Sequence, residues 1–173
     1  MTKRNNGALA IGIIIVIAAA LVAIFTQSRT FAQIMGQGYA PEKVDGIHVY
    51  LSAVDRDTPS REVFLSGEDP AAQDLLALLG SQTYRVNYEV GAREGHPVLL
   101  DYTVALSLTM APEGDQQTVA AVYLDGSSAA DIRGLDPAEG DHTLGVRTHY
   151  QADLAFQQEV LDLLLTQPYE EIL

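Results

Sequence analysis

The chain has 173 residues, 47% of them apolar, with no Cys and no Trp. That suits one compact domain plus one accessory segment, and it excludes a wholly disordered chain, a disulfide framework, a lipidated Cys, an iron–sulfur cluster and a Cys-based zinc site. Its 10 basic and 23 acidic residues give a formal charge of −13, the wrong sign for a nucleic-acid binder, so no such partner is expected.

Ala8–Phe25 reads ALAIGIIIVIAAALVAIF, without a single charge. At about 1.5 Å per residue this run covers roughly 27 Å, close to the ~30 Å hydrocarbon core of a bilayer. Ile and Val are mediocre helix formers in water, but lipid forces a helix because unpaired backbone groups have no water to turn to. Lys3 and Arg4 precede the run and only Arg29 closely follows it, which places residues 1–7 in the cytoplasm and the chain beyond 26 outside. Residues 8–26 are therefore expected to span the membrane, with the lipid bilayer as partner.

Two other readings compete. A soluble core helix is rarely apolar all round over such a length. A signal peptide cleaved after Ala32, within Thr30-Phe31-Ala32, would leave Gln33 as the mature N-terminus, but the apolar run exceeds the usual ~7–15 residues. A pilin-type leader is excluded, because cleavage after Gly7 would put Gly12 where that family places Glu. The uncleaved anchor is the preferred reading.

Residues 27–45 are expected to form a juxtamembrane helix and linker. Phe31, Ile34 and Met35 fall on one helical face, and Gly36, Gly38 and Pro41 stop it. That stripe could dock on the bilayer or pair two anchors, although packing against its own domain is the plainer role. Residues 36–46 (GQGYAPEKVDG) read as linker. The folded unit is set at residues 46–173.

Within it, Ile47, Val49, Leu51 and Ala53 alternate on one face of a strand, and Arg61–Leu65 returns. Asp69-Pro70 opens a helix over Pro70–Leu79, closed by Gly80. Thr83–Val90 is a strand, and Gly91–Pro97 a loop. The strongest alternation, Tyr102, Val104, Leu106, Leu108 and Met110, reverses through Ala111–Gln116 into Thr118–Leu124 as an antiparallel hairpin. Residues 125–142 read as loop with a short strand around Ile132. Thr143–Thr148 reads as an edge strand, Asp153–Thr166 as a final helix, and Pro168–Leu173 as an extended tail.

Mixed strands with too little helix for repeated βαβ units give an α+β class. The expected architecture is an N-terminal transmembrane helix followed by an antiparallel sheet with two helices packed on one face. Gln73–Tyr84 (QDLLALLGSQTY) echoes Gln158–Tyr169 (QEVLDLLLTQPY), which raises an internal duplication beside the chance similarity of Leu-rich helices.

No phosphate loop, nucleophile elbow, HExxH or EF-hand pattern is present, and no cofactor is expected. The best metal candidate joins His142, His149 and Asp153, with Asp141 nearby, as a nitrogen/oxygen set for a metal-assisted hydrolase. The plainer account makes Asp153 a helix N-terminal residue and leaves both imidazoles in solvent. Asp55, Asp57 and Glu62, or Asp125 and Asp131, could take Ca²⁺, but turn chemistry explains Asp there equally well. Ser127-Ser128 is a plain loop. Tyr50, Tyr84, Tyr88, Tyr102 and Tyr123 could form an aromatic surface, with core and cross-strand packing the preferred role.

A basic leader, one apolar anchor and a small acidic α+β ectodomain together resemble uncharacterised small single-pass envelope proteins of Gram-positive bacteria. The strand, Asp-Pro-capped helix and Gln-x-Tyr exit of Asp69–Tyr84 carry the likeness, which implies an address and an architecture but brings no functional residues. The expected function is a non-enzymatic binding, sensing or assembly module of the cell envelope. Its partner would be an envelope protein or glycan, met by loops around Arg93, His96, Asp125 and Asp131. The acidic surface disfavours adhesion to anionic lipids or wall polymers.

Overall fold

The computed structural model describes residues 3–36, 39–86, 98–110, 117–127, 129–134 and 148–172. Helix α1 (Lys3–Thr26) is 24 residues long, and its side chains are described over residues 11–22, all exposed. No helix of the described residues is long and apolar enough to cross a membrane. The 11–22 stretch rises about 18 Å, and the apolar run of the sequence continues beyond it on both sides.

After α1 come β1 (Ser28–Thr30), α2 (Phe31–Met35), a 3₁₀ turn (Pro41–Lys43), β2 (Val44–Ala53), β3 (Ser60–Ser66), α3 (Pro70–Ser81) and β4 (Thr83–Val86). Then follow β5 (Tyr102–Met110), β6 (Gln117–Leu124), β7 (Ala129–Arg133), β8 (Thr148–Gln151), α4 (Leu154–Leu165) and β9 (Glu170–Ile172). The strands form one sheet in the order β1-β4-β8-β7-β6-β5-β2-β3-β9 with every pairing antiparallel. The α+β class and the antiparallel sheet agree with expectation.

One sheet face is the core. Ile47, Val49, Leu51, Val63, Leu65, Val104, Leu106, Leu108, Val122, Leu124 and Ile132 are all buried. Leu75, Leu76 and Leu79 of α3 and Phe156, Val160, Leu161 and Leu164 of α4 belong to the same cluster. Each such side chain contributes about 1.5–3 kcal/mol on leaving water. Three helices, not two, share this core, because α2 adds buried Phe31 and Met35. The Phe31 ring lies 6.2 Å from that of Tyr84.

The sheet thus recruits residues ahead of Gly46. A polar break, Ser28–Thr30, separates the two apolar stretches that the sequence reads as nearly continuous, and it pairs with Thr83–Arg85. Thr30 then starts α2 with a capping box: Gln33 N–H donates to Thr30 Oγ1 at 3.3 Å, and Thr30 N–H donates to Gln33 Oε1 at 2.9 Å. Gly36, at φ 86°, ends it as expected. Contact with the domain is close, since a Cβ on Gly134 would lie 2.6 Å from the Ile34 carbonyl oxygen. Burial also holds the Tyr84 hydroxyl well above its usual pKa and pushes Tyr39 up to about 12, with the Glu42 charge adding to the latter.

Two local expectations need correction. Helix α3 runs through Gly80 to Ser81, because Ser81 Oγ donates to Leu78 O at 2.8 Å and Tyr84 Oη to Leu79 O at 3.0 Å, finishing its last turn without a glycine stop. Asp69 is the N-cap and Pro70 opens the helix as expected, with Gln73 N–H donating to Asp69 O at 3.1 Å, while the Asp69 carboxylate accepts from Ser66 N–H at 2.8 Å and bonds no helical N–H. Strand β8 begins at Thr148 and lies inside the sheet between β7 and β4, not at an edge. Residues 87–90 and 143–147 of the expected strands lie outside the described residues.

The order from β4 to β9 is palindromic about β5 and β6. Hairpin β2–β3, helix α3 and strand β4 mirror hairpin β7–β8, helix α4 and strand β9. Strand β4 pairs with β8 while β9 pairs with β3, so each helix carries the chain across the whole sheet to the other half. Buried positions Ala72, Leu75, Leu76 and Leu79 of α3 recur as Gln157, Val160, Leu161 and Leu164 of α4. The echo read in the sequence corresponds to this pseudo-two-fold.

Candidate functional site

Residues 48, 50, 52 and 54 of the β2 segment alternate with the buried row and point to the side of the sheet opposite the core. Register sets Tyr50 opposite Glu62 and His48 opposite Phe64 on β3. On the other side of β2, Tyr50 faces Ala105 and His48 faces Ser107 of β5. Ala105 in turn faces Tyr123, and Ser107 faces Ala121. Small side chains on the central strands therefore make a low floor, with aromatic groups standing beside it.

The wall is ordered. The His48 and Phe64 rings stack at 4.4 Å with 4° between their planes. His48 Nε2 lies 2.5 Å from Glu62 Oε1. An ionised carboxylate can only accept, so this ring nitrogen carries the proton and donates. The bond fixes the imidazole against Phe64, which is 62% exposed, while Tyr50 and Val54 are 38% and 48% exposed. Solvated apolar groups thus line one strand pair beside an oriented His–Glu pair. Sequence alternation assigns His48 and Phe64 only to the polar side of their strands. Their meeting depends on register across a hairpin, and the one available signal was an aromatic residue at an outward position.

Arg93, His96, His142, Asp141 and Tyr88 lie outside the described residues. Asp125 Oδ1 accepts from Ser127 N–H at 2.9 Å and Ser127 Oγ at 2.7 Å, which is turn chemistry. That turn is tied to the core by fully buried Gln157: Oε1 accepts from Gly126 N–H at 3.0 Å and Nε2 donates to Ser127 O at 2.9 Å. Asp131, expected in a loop, is a buried residue of β7, in register with His149 of β8, whose side chain lies outside the described residues.

Asp153 Oδ1 accepts from Ala155 N–H at 3.2 Å and caps α4, the plainer of its two expected roles. Asp55 Oδ1 likewise accepts from Asp57 N–H at 3.1 Å, while Glu62 holds His48. Among the described residues no three His, Asp or Glu side chains come together as a metal site. Of the tyrosines, Tyr84 and Tyr102 are buried as expected, whereas Tyr50 is exposed. No protein-family model, curated protein or solved structure matches the chain.

Proposed function

We propose that this is a single-pass membrane protein whose extracytoplasmic domain binds a protein partner of the cell envelope through the uncovered sheet face around Phe64, His48, Glu62 and Tyr50. The observation that carries the reading is the asymmetry of the sheet among the described residues: three helices cover one face, while the other leaves aromatic side chains in water next to an oriented His–Glu hydrogen bond. Aromatic side chains of this kind, ringed by polar groups, dominate protein–protein binding energy when a partner excludes water from them.

The membrane address rests on the uncharged run Ala8–Phe25, the flanking Lys3 and Arg4, and a helix that presents Ile11, Ile13, Ile14, Ile15, Val16, Ile17, Leu21 and Val22 to its surroundings. A water-soluble protein gains nothing by holding such a helix away from its core. Retention of the segment is favoured over cleavage after Ala32. Such a cut would remove β1 and Phe31, a core side chain only 1% exposed, at a cost of about 3–5 kcal/mol for the aromatic ring alone.

Site-specific photo-crosslinking in intact cells tests the binding face. A benzophenone amino acid at position 64 should give one discrete protein adduct, while the same group at Glu159, exposed on α4, should give none. Tyr50→Ala should weaken the adduct at least fivefold without changing the amount of protein. Equal adducts at both positions, a glycan-only adduct, or none at position 64 would overturn the reading.

A further inference from the structure

The pseudo-two-fold leaves one element without a counterpart. Strand β4 carries β1 on its outer edge, followed directly by α2 with Phe31. Strand β9 holds the equivalent place on the other flank, and among the described residues nothing pairs with its outer edge. The tyrosines that precede or open these strands differ in the same way. Tyr84 is 1% exposed, with the Phe31 ring 6.2 Å away. Tyr169 is 42% exposed, and the Arg61 guanidinium stacks on it at 4.1 Å. One half of the domain is thus completed by a strand and an aromatic anchor, and the other is left open at the matching position.

We propose that the outer edge of β9, together with Tyr169, receives an extended segment of a partner protein that carries a basic residue in its strand and an apolar or aromatic residue immediately after it. The strand supplies backbone hydrogen bonds to an edge that has no strand partner among the described residues, as in β-strand addition. The apolar residue takes the place beside Tyr169 that Phe31 takes beside Tyr84. Charge selects the basic strand: Glu170 and Glu171 are both exposed, and the completed flank uses Ser28-Arg29-Thr30 in the corresponding position. The same two carboxylates disfavour a second copy, because pairing β9 with β9 brings like charges together. Seven strands separate β9 from β1, the strand that follows the anchor, so a bound segment lies on the flank opposite it. This docking edge adjoins the face around Phe64, since Glu170 lies opposite Glu62 in register, but the inference does not rest on that face.

The test uses the full chain in mild detergent and a fluorescent peptide with the sequence of residues 28–35, SRTFAQIM, the segment that completes the opposite flank. Fluorescence anisotropy at low salt should show saturable binding. The E170K/E171K double variant and Tyr169→Ala should each weaken it at least tenfold, and so should a peptide with Glu in place of its Arg. Asp74→Lys, a charge reversal on the exposed side of α3, should leave it within twofold. Absence of saturable binding would overturn the proposal. So would binding unchanged by E170K/E171K, which would put the peptide at β4 by exchange with β1.

Discussion

Alanine at Gly67 is expected to destabilise the domain by about 3–5 kcal/mol, while alanine at Gly80 is expected to stabilise it by up to ~1 kcal/mol. The two substitutions add the same methyl group in opposite surroundings. At Gly67, Cβ would lie 1.8 Å from the Val44 carbonyl oxygen and 2.8 Å from its carbon. Both atoms are backbone, and Gly67 N–H donates to Asp45 O at 2.7 Å, so the β2 start and the β3–α3 turn must separate for the methyl to fit. The bulge in β2 between Val44 and Gly46 sits at the same junction and would be lost with it. At Gly80 nothing lies within 4 Å, and the residue is helical and exposed. For a chain of this size the melting temperature should fall by about 10 °C with Gly67→Ala and rise slightly with Gly80→Ala. Equal and small shifts would contradict the packing described at the junction.

The larger effect concerns the anchor. Ile14 and Ile17 sit near the middle of Ala8–Phe25, 65% and 54% exposed. Replacing both by Arg places two charges where the bilayer centre is expected, at about 2.5–3.5 kcal/mol each on insertion scales. The double variant should shift from the membrane pellet to the soluble or degraded fraction, while Ile14→Leu with Ile17→Leu stays in the pellet. Because the core residues of α2, α3 and α4 are untouched, any protein recovered should keep the melting behaviour of its domain. An unchanged distribution after the Arg substitutions would remove the membrane from the account.

Much of the sheet was legible because burial on one face imposes a two-residue period. Ile47, Val49 and Leu51, and Val104, Leu106 and Leu108, are the buried residues of β2 and β5, and the β5–β6 hairpin was read from its turn. The helices followed from Leu75, Leu76 and Leu79 and from Val160, Leu161 and Leu164 in the same way. Strand β1 was not legible, since three polar residues become a strand only through pairing with Arg85, Tyr84 and Thr83 far along the chain. The place of β8 was misread for a related reason: its second neighbour, β4, comes from the other half of the molecule. Gly80 misled because a glycine after an apolar run is the usual stop, whereas here the side chains of Ser81 and Tyr84 finish the helix.

The proposed binding surface is the least legible part. Candidate ligands were sought among charged loop residues, yet Asp125 and Asp153 spend their carboxylates on local backbone N–H groups. Glu62 was weighed only as part of a loop cation site, and its hydrogen bond to His48 crosses a hairpin. Phe64 falls within the returning strand Arg61–Leu65, and nothing in that short stretch singles it out. What distinguishes these side chains is that no helix among the described residues covers them, a property of the assembled sheet that spacing along the chain does not carry.

The central claim is that one apolar helix holds the acidic domain on the outer side of a membrane. The chain has no Cys, so single cysteines report position without background. In intact cells a membrane-impermeant maleimide should label Asp74→Cys, on the exposed side of α3, and leave Asn5→Cys unlabelled until the membrane is permeabilised. Protection of both positions before permeabilisation, with the protein recovered in the soluble fraction after lysis, would contradict it.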